Sequence, residues 1–140
     1  MPRWPPGLGL SYGTGVHPEP GLSGKVSLVV SDADTALNFR SGSVPVLATP
    51  RLIALCEEAT VRALDGLFDD SKTTVGVRVQ FDHLAPLNPG TEVTAEAVLE
   101  RVEGKRLTFT VTASDADGLV GAGRVTRVVV SVDNFMDKAR

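Results

Sequence analysis

The chain has 140 residues, 42% of them hydrophobic, and a formal net charge of -3. That length and apolar content describe one folded domain with a real core and exclude a disordered chain. The absence of a basic run argues against nucleic acid as a partner, and the single cysteine excludes a disulfide framework and a Cys-rich zinc site.

Residues 1–23 are rich in proline and glycine, have no period, and read as an N-terminal arm, with Trp4 and Tyr12 available to pin it to a surface. Their start carries no apolar core like that of a signal peptide, and no run in the chain approaches the roughly 18 apolar residues of a membrane span. A cytoplasmic protein is therefore expected. The glycine-rich Ser11–Gly15 follows no strand and lacks the lysine of a phosphate loop. Residues 24–30 read as a first strand, in which Val26, Leu28 and Val30 alternate with Lys25, Ser27 and Val29. Residues 31–43 are polar and irregular, with room for one short helical turn.

The one long helix comes next. Thr49 is expected as its N-cap and Pro50 as its first helical residue. At about 100° per residue, Leu52, Ile53, Cys56, Ala59, Ala63, Leu64 and Leu67 share one apolar face. Arg51, Glu58, Arg62 and Asp65 collect on the other. Glu57 falls inside the apolar arc, where a carboxylate must be paired, neutralised or put to use.

Four strand-like segments complete the chain. In 74–84, Val75, Val77, Val79 and Phe81 alternate in phase with His83. In 92–101, Val93, Ala95, Ala97 and Leu99 share a face, as do Leu107, Phe109, Val111 and Ala113 in 106–114. Glu103-Gly104 makes the turn between these two. The last strand, 119–132, contains Gly121 and Gly123, which mark a bulge or a close approach. Residues 134–140 are a polar tail. One strand, one helix and four strands predict an α+β protein: an antiparallel five-stranded sheet wrapped around one long helix, the hotdog fold, as a single domain over 24–140. Such a sheet leaves an edge uncovered, so a homodimer is expected.

Four residues can carry chemistry on this scaffold. Glu57 and His83 project from facing apolar surfaces, and a buried carboxylate beside a histidine is an acid/base pair. Thr49 adds a hydroxyl at the helix N-terminus, where backbone N–H groups can hold an oxyanion. The plainer readings are a cap for Thr49, a satisfied strand-end histidine for His83, and a structural ion pair of Glu57 with Arg127. Cys56 reads as core. His17 and His83 are too far apart for metal-ligand spacing, and no metal or cofactor is expected.

Leu47-Ala48-Thr49 with Glu57 on the succeeding helix, Gly76 to His83, Pro89-Gly90, Val102 to Leu107, and Gly121-Ala122-Gly123 before Arg127 together resemble the fluoroacetyl-CoA thioesterase group of hotdog proteins. The resemblance runs from about residue 24 to the end. It implies a homodimer hydrolysing an acyl-CoA thioester at the subunit interface. By position it makes Thr49, Glu57 and His83 the catalytic group, Gly76 a residue lining the acyl pocket and Arg127 a supporting substrate-binding residue. The family's aromatic lid is not matched: Arg40 and Ser43 stand nearest those positions, and Phe39 is one residue out of place. Weak selectivity for a fluorinated acyl group is expected. Two other readings stay open at this level, a non-catalytic hotdog that binds acyl-CoA or a small acid, and a hotdog dehydratase.

Overall fold

The structure, a computed structural model, describes residues 17–140. Most of the expected N-terminal arm, with Trp4, Tyr12 and the glycine-rich 11–15, lies outside the described residues. Strand β1 (Ser23–Val29) leads through a 3-10 turn at Asp32–Asp34 into the short helix α1 (Ala36–Phe39). The long helix α2 (Thr49–Ala63) is followed by β2 (Lys72–His83), β3 (Glu92–Glu103), β4 (Arg106–Asp115), β5 (Gly118–Ser131) and the short helix α3 (Val132–Asp137). The strands form one antiparallel sheet in the order β1-β3-β4-β5-β2. This is the hotdog architecture expected from the sequence. No described helix is long and apolar enough to cross a membrane.

Helix α2 lies mainly over β1, β3 and β4. The expected alternation in β3 and β4 holds: Val93, Ala95, Ala97, Leu99, Leu107, Phe109, Val111 and Ala113 are all buried. Small residues let the helix settle directly on the sheet. At Gly24 an added Cβ would stand 2.5 Å from the Ala59 carbonyl oxygen and 2.5 Å from the Ala63 nitrogen. Leu52, Cys56, Ala59, Ala63, Leu64 and Leu67 are buried as expected, whereas Ile53 is only half-buried. Leu55 and Thr60 are buried as well, because the helix is sunk more deeply than a simple two-sided pattern implies.

Three local expectations are corrected. Ala48, with extended dihedrals, is the N-cap of α2, and Thr49 is its first helical residue. The Thr49 hydroxyl makes a tertiary hydrogen bond instead of capping. The polar tail begins with α3, started by Ser131, whose hydroxyl accepts a hydrogen bond from the Asn134 N–H at 3.4 Å. In β2 the register against β5 shifts between Gly76 and Arg78, so Val77 is an extra residue. A one-residue bulge reverses the faces of the residues beyond it. Val75, paired with Val128, is therefore on the outer face, while Val79, Phe81 and His83 pair with Val125, Gly123 and Gly121 on the helix side. Gly121 and Gly123 are sites of close approach: an added Cβ at Gly121 would lie 2.5 Å from the Phe81 ring.

Candidate active site

The N-terminal turn of α2 and the C-terminal end of β2 meet at one mouth of the sheet. There the Thr49 Oγ1 and the His83 Nδ1 are 2.8 Å apart, a hydrogen bond between the first residue of the helix and the last residue of the strand. The other ring nitrogen, His83 Nε2, is buried and has no hydrogen-bond partner among the described residues. A buried polar atom left open is costly in a fold and suits a site that receives a ligand or water. Thr49 and His83 line a cavity of about 350 Å³, together with Ala36, Ser41, Gly42, Val44 and the Leu84–Pro86 segment.

The turn ahead of α1 is tied to the start of α2 by polar contacts. Asp34 accepts a hydrogen bond from Arg51 Nε at 2.9 Å and one from the Ser31 N–H at 2.8 Å. Burial raises the Asp34 pKa, but these hydrogen bonds and the Arg51 charge outweigh it and leave the carboxyl below its ordinary value. Arg40, which stands nearest one of the family's lid aromatics, does not line the cavity. It is exposed and closes α1 in the left-handed conformation, at φ 58.

The remaining predicted residues form a second group, farther along both elements. Glu57 lies eight residues beyond Thr49 on α2, a rise of about 12 Å. Its Oε2 is 3.8 Å from Arg127 Nη1, and an added Cβ at Gly76 would stand only 2.6 Å from that same oxygen. Arg127 is buried, 8% exposed, and is clamped by Thr74: Nε donates to Thr74 Oγ1 at 2.9 Å and Nη2 donates to the Thr74 carbonyl at 3.0 Å. Burial lowers the Arg127 pKa while the Glu57 charge opposes that shift, and the guanidinium stays cationic at neutral pH. Neither Glu57, Gly76 nor Arg127 lines the cavity that holds Thr49 and His83. One chain thus holds these residues as two separate groups rather than as one trio.

Sequence reasoning does not single out Thr74; its only signal is its position two residues before Gly76, on the same face of the strand ahead of the bulge. Cys56, next to Glu57, is buried, and burial followed by the Glu57 charge pushes its thiol up to about 12. A thiol so high in pKa is not a nucleophile at neutral pH. Among the described residues, no group of three or more His, Cys, Asp or Glu side chains is arranged to hold a metal ion.

Known proteins resemble this chain. The family described as "Fluoroacetyl-CoA-specific thioesterase" matches residues 30–133. The fluoroacetyl-CoA thioesterase of Streptantibioticus cattleyicolor is 35% identical over 95 residues, which is 68% of each chain. A solved structure of the fluoroacetyl-CoA thioesterase FlK superposes with a TM-score of 0.82 at 28% identity, covering 88% of this chain and 96% of that one. A hot-dog-like protein from Thermanaerovibrio acidaminovorans gives 0.78 at 32% identity, over 85% and 88% of the two chains. With the family matched over most of the sequence and the same fold under it, the chain belongs to the fluoroacetyl-CoA-specific thioesterase family of hotdog-fold hydrolases.

Proposed function

We propose that the protein is a cytoplasmic homodimeric thioesterase that hydrolyses small acyl-CoA thioesters. Its active sites would be assembled from Thr49 and His83 of one chain and Glu57, Gly76 and Arg127 of the other. The observation that carries this reading is the 2.8 Å Thr49–His83 hydrogen bond on the cavity wall, in a histidine whose Nε2 is buried without a hydrogen-bond partner among the described residues. The two separate groups supply the reason for a dimer. Strand β2 is an edge of the sheet, and Val77 and Val79 on it are 51% and 38% exposed. Antiparallel pairing of two β2 edges about a two-fold axis near the middle of the strand would bring Gly76 of one chain toward the partner's His83. Glu57, held against Gly76, would then complete the partner's Thr49–His83 pair.

In this arrangement His83 donates Nδ1–H to the Thr49 hydroxyl, which fixes the ring and leaves Nε2 as the base. Water adds to the thioester carbon as Nε2 takes one of its protons. The carbonyl oxygen gains negative charge, and the N-terminal turn of α2 lies on the same cavity to stabilise it. Collapse of the intermediate breaks the C–S bond, and His83 returns the proton to the departing thiolate. Glu57 orients the water and stabilises the histidine cation, while the Arg127–Thr74 clamp holds Glu57 in position. The relatives' names specify fluoroacetyl-CoA. Here Ser41 and Gly42 stand in the cavity wall, and among the described residues no Phe, Tyr or Trp lines it, which favours a small uncharged acyl group with little fluorine selectivity. The expected ratio of kcat/KM for fluoroacetyl-CoA over acetyl-CoA is below about 200, the range open to a small apolar difference. A ratio in the thousands would contradict this account of the lid.

Subunit mixing tests the shared site. Glu57→Ala and His83→Ala chains, each inactive alone, are unfolded together and refolded. Random assortment should recover roughly a quarter of wild-type activity, since half of the dimers are mixed and each has one whole site. Recovery at background level would rule out sites shared between chains.

A further inference from the structure

The outer face of the sheet, away from α2, carries a group of charges that the hydrolytic reading does not use. Register pairing sets Arg101, Thr108, Thr126 and Arg78 side by side across β3, β4, β5 and β2. Neighbouring strands are about 4.8 Å apart, so the row is about 14 Å long, with an arginine at each end and two threonines between. Arg106 stands two residues from the row on β4, and Arg124 two residues from it on the opposite side, on β5. The four arginines surround a depression of about 160 Å³ with Thr108 and Thr126 as its floor. Both threonines are buried, 7% and 8% exposed, under this ring of longer side chains.

The charges do not balance. Arg101 is paired with Glu103 at 3.0 Å and Arg124 with Glu100 at 3.3 Å. Among the described residues, Arg78 and Arg106 have no carboxylate partner. Four arginines against two glutamates leave an excess of two positive charges in one depression, on a chain whose net charge is -3. Like charges gathered on a rigid sheet repel one another, and a bound anion removes that cost.

We propose that this depression binds a phosphate group carried by a small molecule. Guanidinium forks match phosphate oxygens two at a time, and a doubly charged phosphate neutralises the local excess. Approach from four sides, with hydroxyl donors below, suits a tetrahedral anion better than a flat carboxylate. The site does not depend on the thioesterase reading. Two sources offer the same chemistry: a free phosphate or diphosphate, and the phosphorylated nucleotide end of coenzyme A.

The test is titration of the full chain with inorganic diphosphate and, separately, with coenzyme A, by calorimetry and by amide chemical shifts. The variants are Arg78→Ala/Arg106→Ala and, as a charge control that does not line the depression, Lys138→Ala. Both replaced arginines are exposed, and circular dichroism melting checks that the fold persists. Diphosphate should bind the wild type, shift amides of β2, β3, β4 and β5 around the depression, and weaken at least tenfold in the double variant but not in Lys138→Ala. If diphosphate also displaces coenzyme A and the double variant loses affinity for both, the source is the coenzyme's nucleotide end. If coenzyme A binding is indifferent to both, the source is a free phosphate compound. Diphosphate that fails to bind below about 10 mM, the regime of weak nonspecific ion association, or that binds the double variant as it binds the wild type, overturns the proposal.

Discussion

The helix-facing side of the sheet is two different surfaces. Under α2, strands β3 and β4 present Val93, Ala95, Ala97, Leu99, Leu107, Phe109, Val111 and Ala113, and β1 brings Gly24 against the helix backbone. Beside it, β5 and β2 present Arg127, Thr74, Gly76, Val79, Phe81 and His83, with a bulge in the middle and an unpaired outer edge. The first surface is sealed by its own helix; the second is not. Packing one half to interior density holds the chain together, which lets the other half carry polar groups, a glycine gap and an open histidine nitrogen that a core would reject.

The sharpest way to break that comparison is to remove the chemistry without touching the core. Glu57→Ala and His83→Ala should each lower kcat about 100-fold or more, as expected for loss of a positioned acid/base group, with the melting temperature nearly unchanged. Glu58→Ala should change neither quantity much, because Glu58 belongs to a surface pair with Arg62 at 3.3 Å. Activity assays and thermal melts on the same preparations decide it. A collapse of stability in Glu57→Ala would make the Arg127 pair a structural device instead.

Two glycines sharpen the contrast, one in each half. Gly24→Ala drives a methyl into the helix backbone at 2.5 Å, where neither element can yield without moving the other, and should cost about 3 kcal/mol or more. Gly76→Ala meets the Glu57 carboxylate at 2.6 Å, the far end of a flexible side chain, so the fold should survive while the carboxylate is displaced. A stability loss of under about 1 kcal/mol with activity down at least tenfold is the expected result. Urea unfolding and initial rates for both variants would expose the reverse pattern.

The smallest effect concerns Asp34, in the 3-10 turn ahead of α1. The folded Asp34 pKa is lowered, so its contribution to stability is fully present above the unfolded carboxyl pKa and is lost as pH falls through the folded value. Asp34→Asn should therefore be about 1 kcal/mol less stable than wild type at pH 7, with the gap closing as the buffer is taken below the ordinary aspartate range near pH 4. Unfolding curves at both pH values measure it. An equal gap at both would show that the Asp34–Arg51 contact at 2.9 Å acts through shape rather than charge.

Residue pattern alone determined a good deal of this protein. The alternation in β3 and β4, the single long helix and the succession of elements along the chain were legible because burial imposes a period of two on a half-covered strand and one near 3.6 on a helix. Glu57 stood out for the same reason, as a charge at the wrong phase. Only the tertiary structure decided matters of register and distance. The bulge at Val77 turns Val75 outward and keeps His83 inward, and no propensity marks it. Thr49 is the first helical residue rather than the cap, and its hydroxyl bonds His83, a contact between residues 34 positions apart. The division of Thr49–His83 from Glu57–Arg127 was likewise invisible in the linear spacing. Periodicity reports which face a side chain takes, whereas the distance between two such side chains depends on how far along each element they stand when the elements pack.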